Sequence, residues 1–227
     1  AQSARLLPIP HHHVVLPVPG SITVLRRFNR REVVDIAFEA AVYAVERCLV
    51  SRFGAVPGIF LSVHTWGETL ASHLHVHLGV TSGGLRPDGT WIEYPGDFLF
   101  LLDEISSLFR KRFMKLIRKA VDKNKMKFPA KMSPEARQSL IKRLETRERN
   151  WRAWSERYDT AEKLLLYLGQ SLRGGPISDD QIIHFAHDRV TFRYFCNRTK
   201  QDRVMSLRLD HFVGRLMDHA PLQSHEM

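Results

Sequence analysis

The sequence predicts an α+β fold, in which a central antiparallel sheet is flanked by helices. Two short apolar runs, 58–64 and 75–80, have the composition of strands, and a connection of about ten residues would place them side by side. A third run, 90–94, follows the strong turn signal Pro87-Asp88-Gly89. Apolar residues at helical spacing fill longer stretches, such as 101–123. Short strands joined by turns, with separate helices after them, are typical of α+β proteins.

The remaining elements follow in chain order. Residues 11–16 form a short apolar run between two prolines and predict a strand. Asn29 and Glu32 have the spacing of a capping box, which predicts that a helix begins there and runs to about Phe53. The later helices are expected at 134–147, 159–172 and 210–218, and the later strands at 189–194 and 204–207.

The composition favours a polyanionic partner and excludes several kinds of protein. The chain has 227 residues, and Lys+Arg 34 against Asp+Glu 24 gives a formal charge of +10. Only Cys48 and Cys196 are present, so a cysteine zinc ribbon is excluded and any metal must bind histidine, carboxylate or amide side chains. No apolar stretch approaches the roughly 20 residues of a membrane span, and no signal-peptide pattern is found. We therefore expect a cytoplasmic protein.

The segment His73-Leu74-His75-Val76-His77 is the sharpest local pattern. Alternate residues of a strand project from one face, so these imidazoles would point together, and two of them at i and i+2 can chelate one divalent ion. His64, at the end of the preceding strand, could be brought opposite by the hairpin as a third ligand. The alternatives are a histidine-rich solvent face and a His64 that only caps its strand.

A nucleophile and a binding surface can also be sought in the sequence. Tyr167 is the best placed tyrosine, although its apolar neighbours alone would make it a core residue with its hydroxyl at the edge. The helix over 101–123 interleaves basic residues with an apolar face, and it is either a DNA-binding helix or a solvated surface. Its basic residues are Arg110, Lys111, Arg112, Lys115, Arg118 and Lys119.

Several of these segments together resemble the rolling-circle insertion-sequence transposases of the HUH class. Those proteins typically read LLPVPYFHVVF, then HTWGxTLxxHPHVH, then GGGLSPDGxxW, and later RYLGRY and GRVTFRW. The corresponding segments here are LLPIPHHHVV (6–15), VHTWGETL (63–70), HLHVH (73–77), GGLRPDGTW (83–91), LYLG (166–169) and DRVTFR (188–193). The similarity keeps the same order over nearly the whole chain.

The resemblance implies a single-strand DNA endonuclease and strand transferase with the HUH type of central sheet. In such a protein His75 and His77 hold Mg²⁺ or Mn²⁺ on the scissile phosphate, with His64 as the expected third ligand. Tyr167 attacks the phosphorus and gives a 5′-phosphotyrosyl enzyme. The implied partner is single-stranded DNA at the ends of a transposon, including hairpins, in a bacterial, nucleoid-associated protein with no membrane contact.

Two departures from the family pattern affect this interpretation. The family often has a second tyrosine four residues after the first, where this chain has Ser171, so a relay between two tyrosines on this helix is not expected. It also often has an arginine where this chain has Gln170, whose amide oxygen is a rival to His64 as third ligand. With one nucleophilic tyrosine per chain, two strand exchanges need either a homodimer or the sequential use of that residue.

The resemblance divides the chain into three segments. Residues 1–100 are the first part of the nuclease domain, 101–158 a basic helical insertion, and 159–227 the nucleophile helix with the last strands and helix. Three other functions are weighed against transposition: a replication initiator of the same superfamily, a catalytically lapsed DNA-binding protein derived from a transposase, and a histidine-metal hydrolase of small molecules. The last would need an acidic general base and no excess of positive charge.

Overall fold

The computed structural model describes residues 8–95, 101–146, 151–173 and 175–219, with the backbone alone at 170–173. The described residues form two compact units, each discontinuous in sequence. The first unit takes its residues from 1–64 and 74–167, and the second from 65–73 and 168–227. The three consecutive segments predicted above are a different division, and they stay a prediction.

A five-stranded sheet organises the first unit. Its strands run in the order β2-β3-β1-β5, and β4 pairs with the last residues of β3, from Gly83 to Leu85. The ladders of β1 with β3 and β5, and of β3 with β4, are antiparallel, which confirms the predicted α+β fold with a central antiparallel sheet. The strands are β1 (His11–Pro17), β2 (Val56–Trp66), β3 (Ser72–Leu85), β4 (Trp91–Glu93) and β5 (Trp154–Tyr158).

Four helices cover one face of this sheet and share its core cluster: α1 (Thr23–Phe28), α2 (Arg30–Phe53), α3 (Leu102–Asp122) and α4 (Pro134–Thr146). A fifth described helix, α5 (Ala161–Arg173), begins in the first unit but adds no residue to that cluster, and its Tyr167 contacts the ring of His13 on β1. Helix α2 buries a stripe of small residues that includes Ala37, Ala40 and Ala44, so α3 packs closely against it. One core cluster contains these alanines, aromatic residues of α3 and apolar residues of β1 and β3. The opposite face of the strands is therefore available for polar residues.

The start of α2 corrects the capping-box prediction. Asn29 is the N-cap residue, but its side chain makes no cap hydrogen bond. Its Nδ2 donates to the carbonyls of Leu25 and Lys127, at 2.8 Å each, and its Oδ1 accepts from the Lys127 backbone N–H at 2.7 Å. Asn29 is buried, so these three bonds satisfy its amide and fix the loop after α3 against α1. The hydrogen bonds of the Asn29 side chain to Leu25 and Lys127 therefore take the place of the predicted capping hydrogen bond.

Strand β5 was not predicted from the sequence. It falls in the segment 101–158, for which only helices are predicted, and its residues alternate poorly between apolar and polar. As an edge strand it needs only one partner, and its charged Glu156 and Arg157 are typical of such an edge. Helix α4 ends at Thr146 in the structure, and Arg147, the predicted last residue of the helix, lies outside the described residues.

The second unit has its own small sheet and core. Strands β6 (Ile182–Ala186), β7 (Arg189–Cys196) and β8 (Gln201–Arg208) form an antiparallel sheet in chain order, followed by α6 (Leu209–Met217). Strands β7 and β8 and the closing helix match the predicted elements, whereas β6 was not predicted. Within the described residues, the core of this unit contains the buried side chains of Leu70, Val190, Phe192 and Phe212.

The helices of the described ranges also bear on the membrane prediction. None of them is both long enough and apolar enough to cross a membrane.

Candidate active site

Strand β3 separates its apolar side chains from its histidines. Leu74, Val76 and Leu78 are fully buried in the core cluster. His75 and His77 alternate with them and therefore project from the opposite face. His77 is buried, with 6% of its surface exposed, and His75 is half-buried. The strand thus presents two imidazoles on the face that points away from the core cluster.

His64 on β2 joins these two residues in a cluster of three imidazoles. One nitrogen of each ring lies within 4.8 Å of a nitrogen of the other two. The ring centroids of His64 and His77 are 4.1 Å apart, and those of His75 and His77 are 4.8 Å apart. Because β2 and β3 are adjacent strands joined by a short turn, the hairpin brings His64 beside the pair. The structure therefore brings together the three histidines that the sequence predicts as ligands.

Burial keeps two members of this cluster, His64 and His77, in the form that can bind a cation. Desolvation lowers the pKa of His64 below its ordinary value. Desolvation, assisted by the neighbouring His64, His75 and His13, lowers the pKa of His77 to about 2. A neutral imidazole has a nitrogen lone pair free for a metal, whereas imidazolium has none.

One ring nitrogen of the cluster makes no hydrogen bond to the described residues. His77 Nε2 is buried and has no hydrogen-bond partner among the described residues. Leaving a buried polar atom unpaired costs about 1–3 kcal/mol, and a divalent cation between the three rings would remove that cost. Three imidazole nitrogens suit a first-row transition metal better than Mg²⁺, which prefers oxygen ligands. The residues present therefore fit a divalent metal.

Gln170, the rival third ligand, lies on α5, but its side chain is outside the described residues, and the same holds for Ser171. The structure thus gives a position for His64 and none for the Gln170 amide. The choice between them stays a prediction.

His13 on β1 was not predicted as a site residue, and it is the closest neighbour of the cluster. Its Nε2 lies 2.7 Å from Nδ1 of His77, and the two rings stack at 5.0 Å with an interplanar angle of 18°. Desolvation lowers the pKa of His13 to about 4. A signal was present in the sequence, because three consecutive histidines in an apolar strand must place at least one on the open face. The run of three histidines does not reveal that His77 is the partner of His13.

Tyr167 lies on the other side of His13. The ring centroids of His13 and Tyr167 are 5.4 Å apart, and the rings meet edge to face. Tyr167 is 46% exposed, whereas Leu164 and Leu168 on the same helix are buried. The local expectation of a core tyrosine is therefore wrong, because the buried stripe of α5 passes beside Tyr167 rather than through it. The side chain of Tyr167 is therefore open to solvent.

Strand β5 adds two more aromatic residues, Trp154 and Tyr158, to this site. Their ring centroids lie 5.5 Å and 6.2 Å from that of His13. The Tyr158 hydroxyl donates to Glu156 Oε2 at 3.2 Å, and burial together with this carboxylate raises the pKa of Tyr158 to about 12. Neither residue was predicted, because the strand that carries them was not.

The conspicuous Thr65-Trp66-Gly67-Glu68-Thr69-Leu70 segment has a structural role within the second unit. Leu70 has a left-handed backbone, with φ 61°, and its side chain is 1% exposed in the core of that unit. Its carbonyl accepts from His219 Nε2 at 2.9 Å, and Trp66 packs edge to face on the His219 ring. Glu68 Oε1 accepts from the Asn197 backbone N–H. Burial of Leu70 offsets the cost of its strained backbone.

The predicted DNA-binding helix is α3, and its basic residues divide into two groups. Arg112 faces α2, where it pairs with Glu39 at 2.6 Å and lies over the Tyr43 ring. The other five line a groove between α3 and α4. Within the groove, Arg118 pairs with Glu145 of α4, and Asp122 adds a second acidic group. The basic residues of the groove are Arg110, Lys111, Lys115, Arg118, Lys119 and Lys123, of which Lys123 was not predicted.

Two curated relatives resemble the chain along most of its length. It is 28% identical over 223 residues to "Putative transposase y4qJ" of Sinorhizobium fredii, covering 95% of this chain and 56% of that protein. It is 28% identical over 231 residues to the transposase for insertion sequence element IS801 of Pseudomonas savastanoi pv. phaseolicola, covering 97% and 53%. The chain therefore spans about half the length of the curated relatives that it matches.

Among solved structures, the conjugative relaxase TrwC in complex with a 27-mer DNA matches with a TM-score of 0.39 and 10% identity, covering 94% of this chain and 68% of that one. The metal-bound TrwC complex with its origin DNA gives a TM-score of 0.39 as well, with 10% identity and coverages of 94% and 66%. A family model described as "Putative transposase" matches residues 58–227, three quarters of the chain, from the third residue of β2 onward. The chain belongs to this family, Y2_Tnp.

Proposed function

We propose that the chain is the nuclease part of a transposase that cuts and rejoins single-stranded DNA with Tyr167 as nucleophile. One observation carries the proposal: His13 is in ring contact with both Tyr167 and His77, a member of the three-imidazole cluster. A phosphate held at the cluster would therefore be separated from Tyr167 by no more than the ring of His13. Membership of the Y2_Tnp family supports transposition as the setting for this chemistry.

The three imidazoles of His64, His75 and His77 would hold the metal, expected to be Mn²⁺ or Mg²⁺. When bound, such a cation polarises a phosphoryl oxygen and stabilises the charge that develops in the transition state. The nitrogen donors favour Mn²⁺ of the two. Burial of His64 and His77 contributes by keeping these ligands neutral at neutral pH.

Tyr167 would carry the covalent step. Its phenolic oxygen forms a bond to the phosphorus as the bond from the phosphorus to the 3′ oxygen breaks, and the half-exposed hydroxyl releases its proton to water. The departing 3′ oxygen takes up a proton from water and becomes a free 3′-hydroxyl. The phosphodiester is conserved as a 5′-phosphotyrosyl ester, so a second 3′-hydroxyl can reverse the reaction without a nucleotide cofactor.

The DNA would be bound in single-stranded form, at transposon ends or hairpins. An exposed tyrosine on a helix must reach one backbone in line with the leaving oxygen, which a flexible single strand permits. The basic groove between α3 and α4 offers phosphate contacts for the flanking strand. With one nucleophile per chain, two exchanges would need either a homodimer or two successive uses of Tyr167.

The experiment is covalent capture of one side of the cleaved strand. Oligonucleotides tiling both ends of the DNA element that encodes the chain are labelled at the 3′ end and incubated with protein and Mn²⁺. We expect a denaturation-resistant adduct, because the protein keeps the 5′-phosphate and everything 3′ of it. The same oligonucleotide labelled at the 5′ end should release a shorter labelled fragment with a free 3′-hydroxyl and leave no label on the protein.

Tyr167→Phe removes only the hydroxyl, so it should bind DNA as the wild type does and form no adduct. An adduct that carries the 5′ label would overturn the proposed polarity. Tight binding of single strands without any cleavage by the wild type would favour the catalytically lapsed alternative.

A further inference from the structure

The partner of His77 points to a role for His13 that the catalytic scheme above leaves unassigned. His13 lies opposite Gly79 in the β1–β3 ladder, and Val15 lies opposite His77. Residues opposite each other share a face, so His13 and His77 project from the same side of the sheet, one diagonal step apart. Because Gly79 has no side chain, the His13 ring is free to lean toward His77.

The local packing holds the His13 ring in this position. The Phe60 ring covers Gly79 so closely that a Cβ there would lie 2.0 Å from Phe60 Cζ. On the other side, the rings of Trp154, Tyr158 and Tyr167 all meet His13 edge on. An imidazole that is enclosed in this way and fully buried has little rotational freedom.

The short contact between the two histidines admits two arrangements of one proton. His13 Nε2 and His77 Nδ1 are 2.7 Å apart, so one of them donates and the other accepts. If His13 donates, a neutral His77 must have its own proton on Nε2, which is buried without a hydrogen-bond partner among the described residues. If His77 donates from Nδ1, its Nε2 lone pair is free for a cation, and the proton of a neutral His13 lies on His13 Nδ1, which is likewise buried without a partner in the described part of the chain. Only the second arrangement is compatible with a metal at the cluster.

We propose that His13 is a positioning residue, whose Nε2 accepts a hydrogen bond from His77 Nδ1 and so holds His77 in the tautomer that presents Nε2 to the metal. The inference rests on the proposed metal site but not on DNA cleavage. Metal-binding histidines commonly donate their second ring N–H to an acceptor that fixes the tautomer, and loss of such an acceptor typically lowers metal affinity 10–100-fold. Here the acceptor is a neutral imidazole instead of a carboxylate, so no negative charge is buried beside the cluster.

The test is a pair of variants whose new side chains are of comparable size and differ in whether they can accept a hydrogen bond. In His13→Gln the amide oxygen can accept from His77 Nδ1, whereas His13→Leu fills the space with no acceptor. Calorimetric titration of the metal-free protein with Mn²⁺ should show a 10–100-fold larger dissociation constant for His13→Leu than for the wild type. For His13→Gln the dissociation constant should lie within about threefold of the wild-type value. His11→Gln is the matched control, since His11 lies on the same strand and hydrogen-bonds to the Ile9 carbonyl.

A role in packing alone predicts a different outcome: the Leu and Gln variants would lose affinity equally, or neither would lose any. Either result overturns the proposal. Wild-type protein that fails to bind Mn²⁺ would overturn both this inference and the metal site, whereas normal Mn²⁺ binding with no DNA adduct would overturn only the proposed function.

A second measurement requires no variant at all. In protein loaded with diamagnetic Zn²⁺ and labelled with ¹⁵N, the imidazole correlations of His77 should show a proton on Nδ1 and none on Nε2, and those of His13 should show Nε2 without a proton. A proton on His13 Nε2 would overturn the proposal even if the His13→Leu protein does not fold.

Discussion

The rings of Tyr158 and Tyr167 lie 6.1 Å apart, one on the edge strand β5 and one on helix α5, and both contact His13. Their surroundings differ in a way that matters for chemistry. Tyr158 donates to Glu156, which together with burial raises its pKa to about 12. Tyr167 is 46% exposed. A nucleophilic phenol must lose its proton. The surroundings of Tyr158 oppose that loss, so we expect Tyr167 to be the nucleophile and Tyr158 to serve in packing.

The first prediction uses this pair as its own control. Tyr158→Phe should form the covalent DNA adduct at a rate within a few-fold of wild type, whereas Tyr167→Phe should form none. Both changes remove a single hydroxyl, and thermal unfolding of each variant shows whether it is folded as the wild type is. Peptide mapping of the wild-type adduct should locate the phosphate on Tyr167. A phosphate on Tyr158 would show that the strand, not the helix, supplies the nucleophile.

The second prediction concerns the third metal ligand. Calorimetric titration with Mn²⁺ should show no binding to the His75→Ala/His77→Ala double variant, because two of three nitrogen donors are gone. His64→Ala should weaken binding at least as strongly as His13→Leu does, since it removes a donor directly. Gln170→Ala should leave the affinity unchanged. The reverse order, with Gln170→Ala weaker than His64→Ala, would assign the third position to the amide.

The third prediction tests the groove between α3 and α4. Lys115→Glu/Lys119→Glu should weaken binding of single-stranded DNA and reduce the slope of log K against log salt by about 1.4, since each lost phosphate contact accounts for about 0.7. Arg31→Glu/Arg47→Glu makes the same change in charge on exposed positions of α2 and serves as the control. Equal losses in the two double variants would mean that the net charge matters and the groove does not.

The histidine cluster was predictable because its parts are local in sequence. Period-two alternation places His75 and His77 on one face, and a single hairpin adds His64. The position of His13 depends on the β1–β3 register, which joins residues 64 positions apart, and no hairpin turn connects these two strands to fix that register locally.

The exposure of Tyr167 was not predictable for a related reason. Its apolar neighbours give α5 more apolar residues than the core accepts, and Leu166 is left 66% exposed beside it. Periodicity identifies a helix with an apolar side, but packing decides where the buried stripe ends. The predicted capping box failed in the same way, since Asn29 could satisfy its amide with the distant Lys127.

The last prediction follows from the buried histidines of the metal-free protein. His13 has a pKa lowered by burial to about 4, and that of His77 is lowered to about 2, whereas both would titrate near 6.5 in the unfolded chain. Between these values the unfolded chain binds protons that the folded protein does not, so the free energy of unfolding falls as the pH falls. The stabilising contribution is fully present above pH 6.5 and is lost progressively as the pH falls toward about 4 and below.

Urea unfolding in the presence of a chelator, at pH values from about 7.5 to about 4.5, measures this loss. Each pH unit below the unfolded pKa should remove up to about 1.4 kcal/mol for each histidine that stays neutral in the fold. His13→Gln removes one such group, so its stability should depend less steeply on pH, by about one proton. Saturating Mn²⁺ should raise the wild-type stability near neutral pH, because it binds the folded state, but it should not flatten the pH dependence, since the unfolded chain still takes up the protons. Identical pH slopes for the wild type and His13→Gln would show that His13 takes up its proton in the folded state, which the enclosure of its ring by Trp154, Tyr158 and Tyr167 argues against.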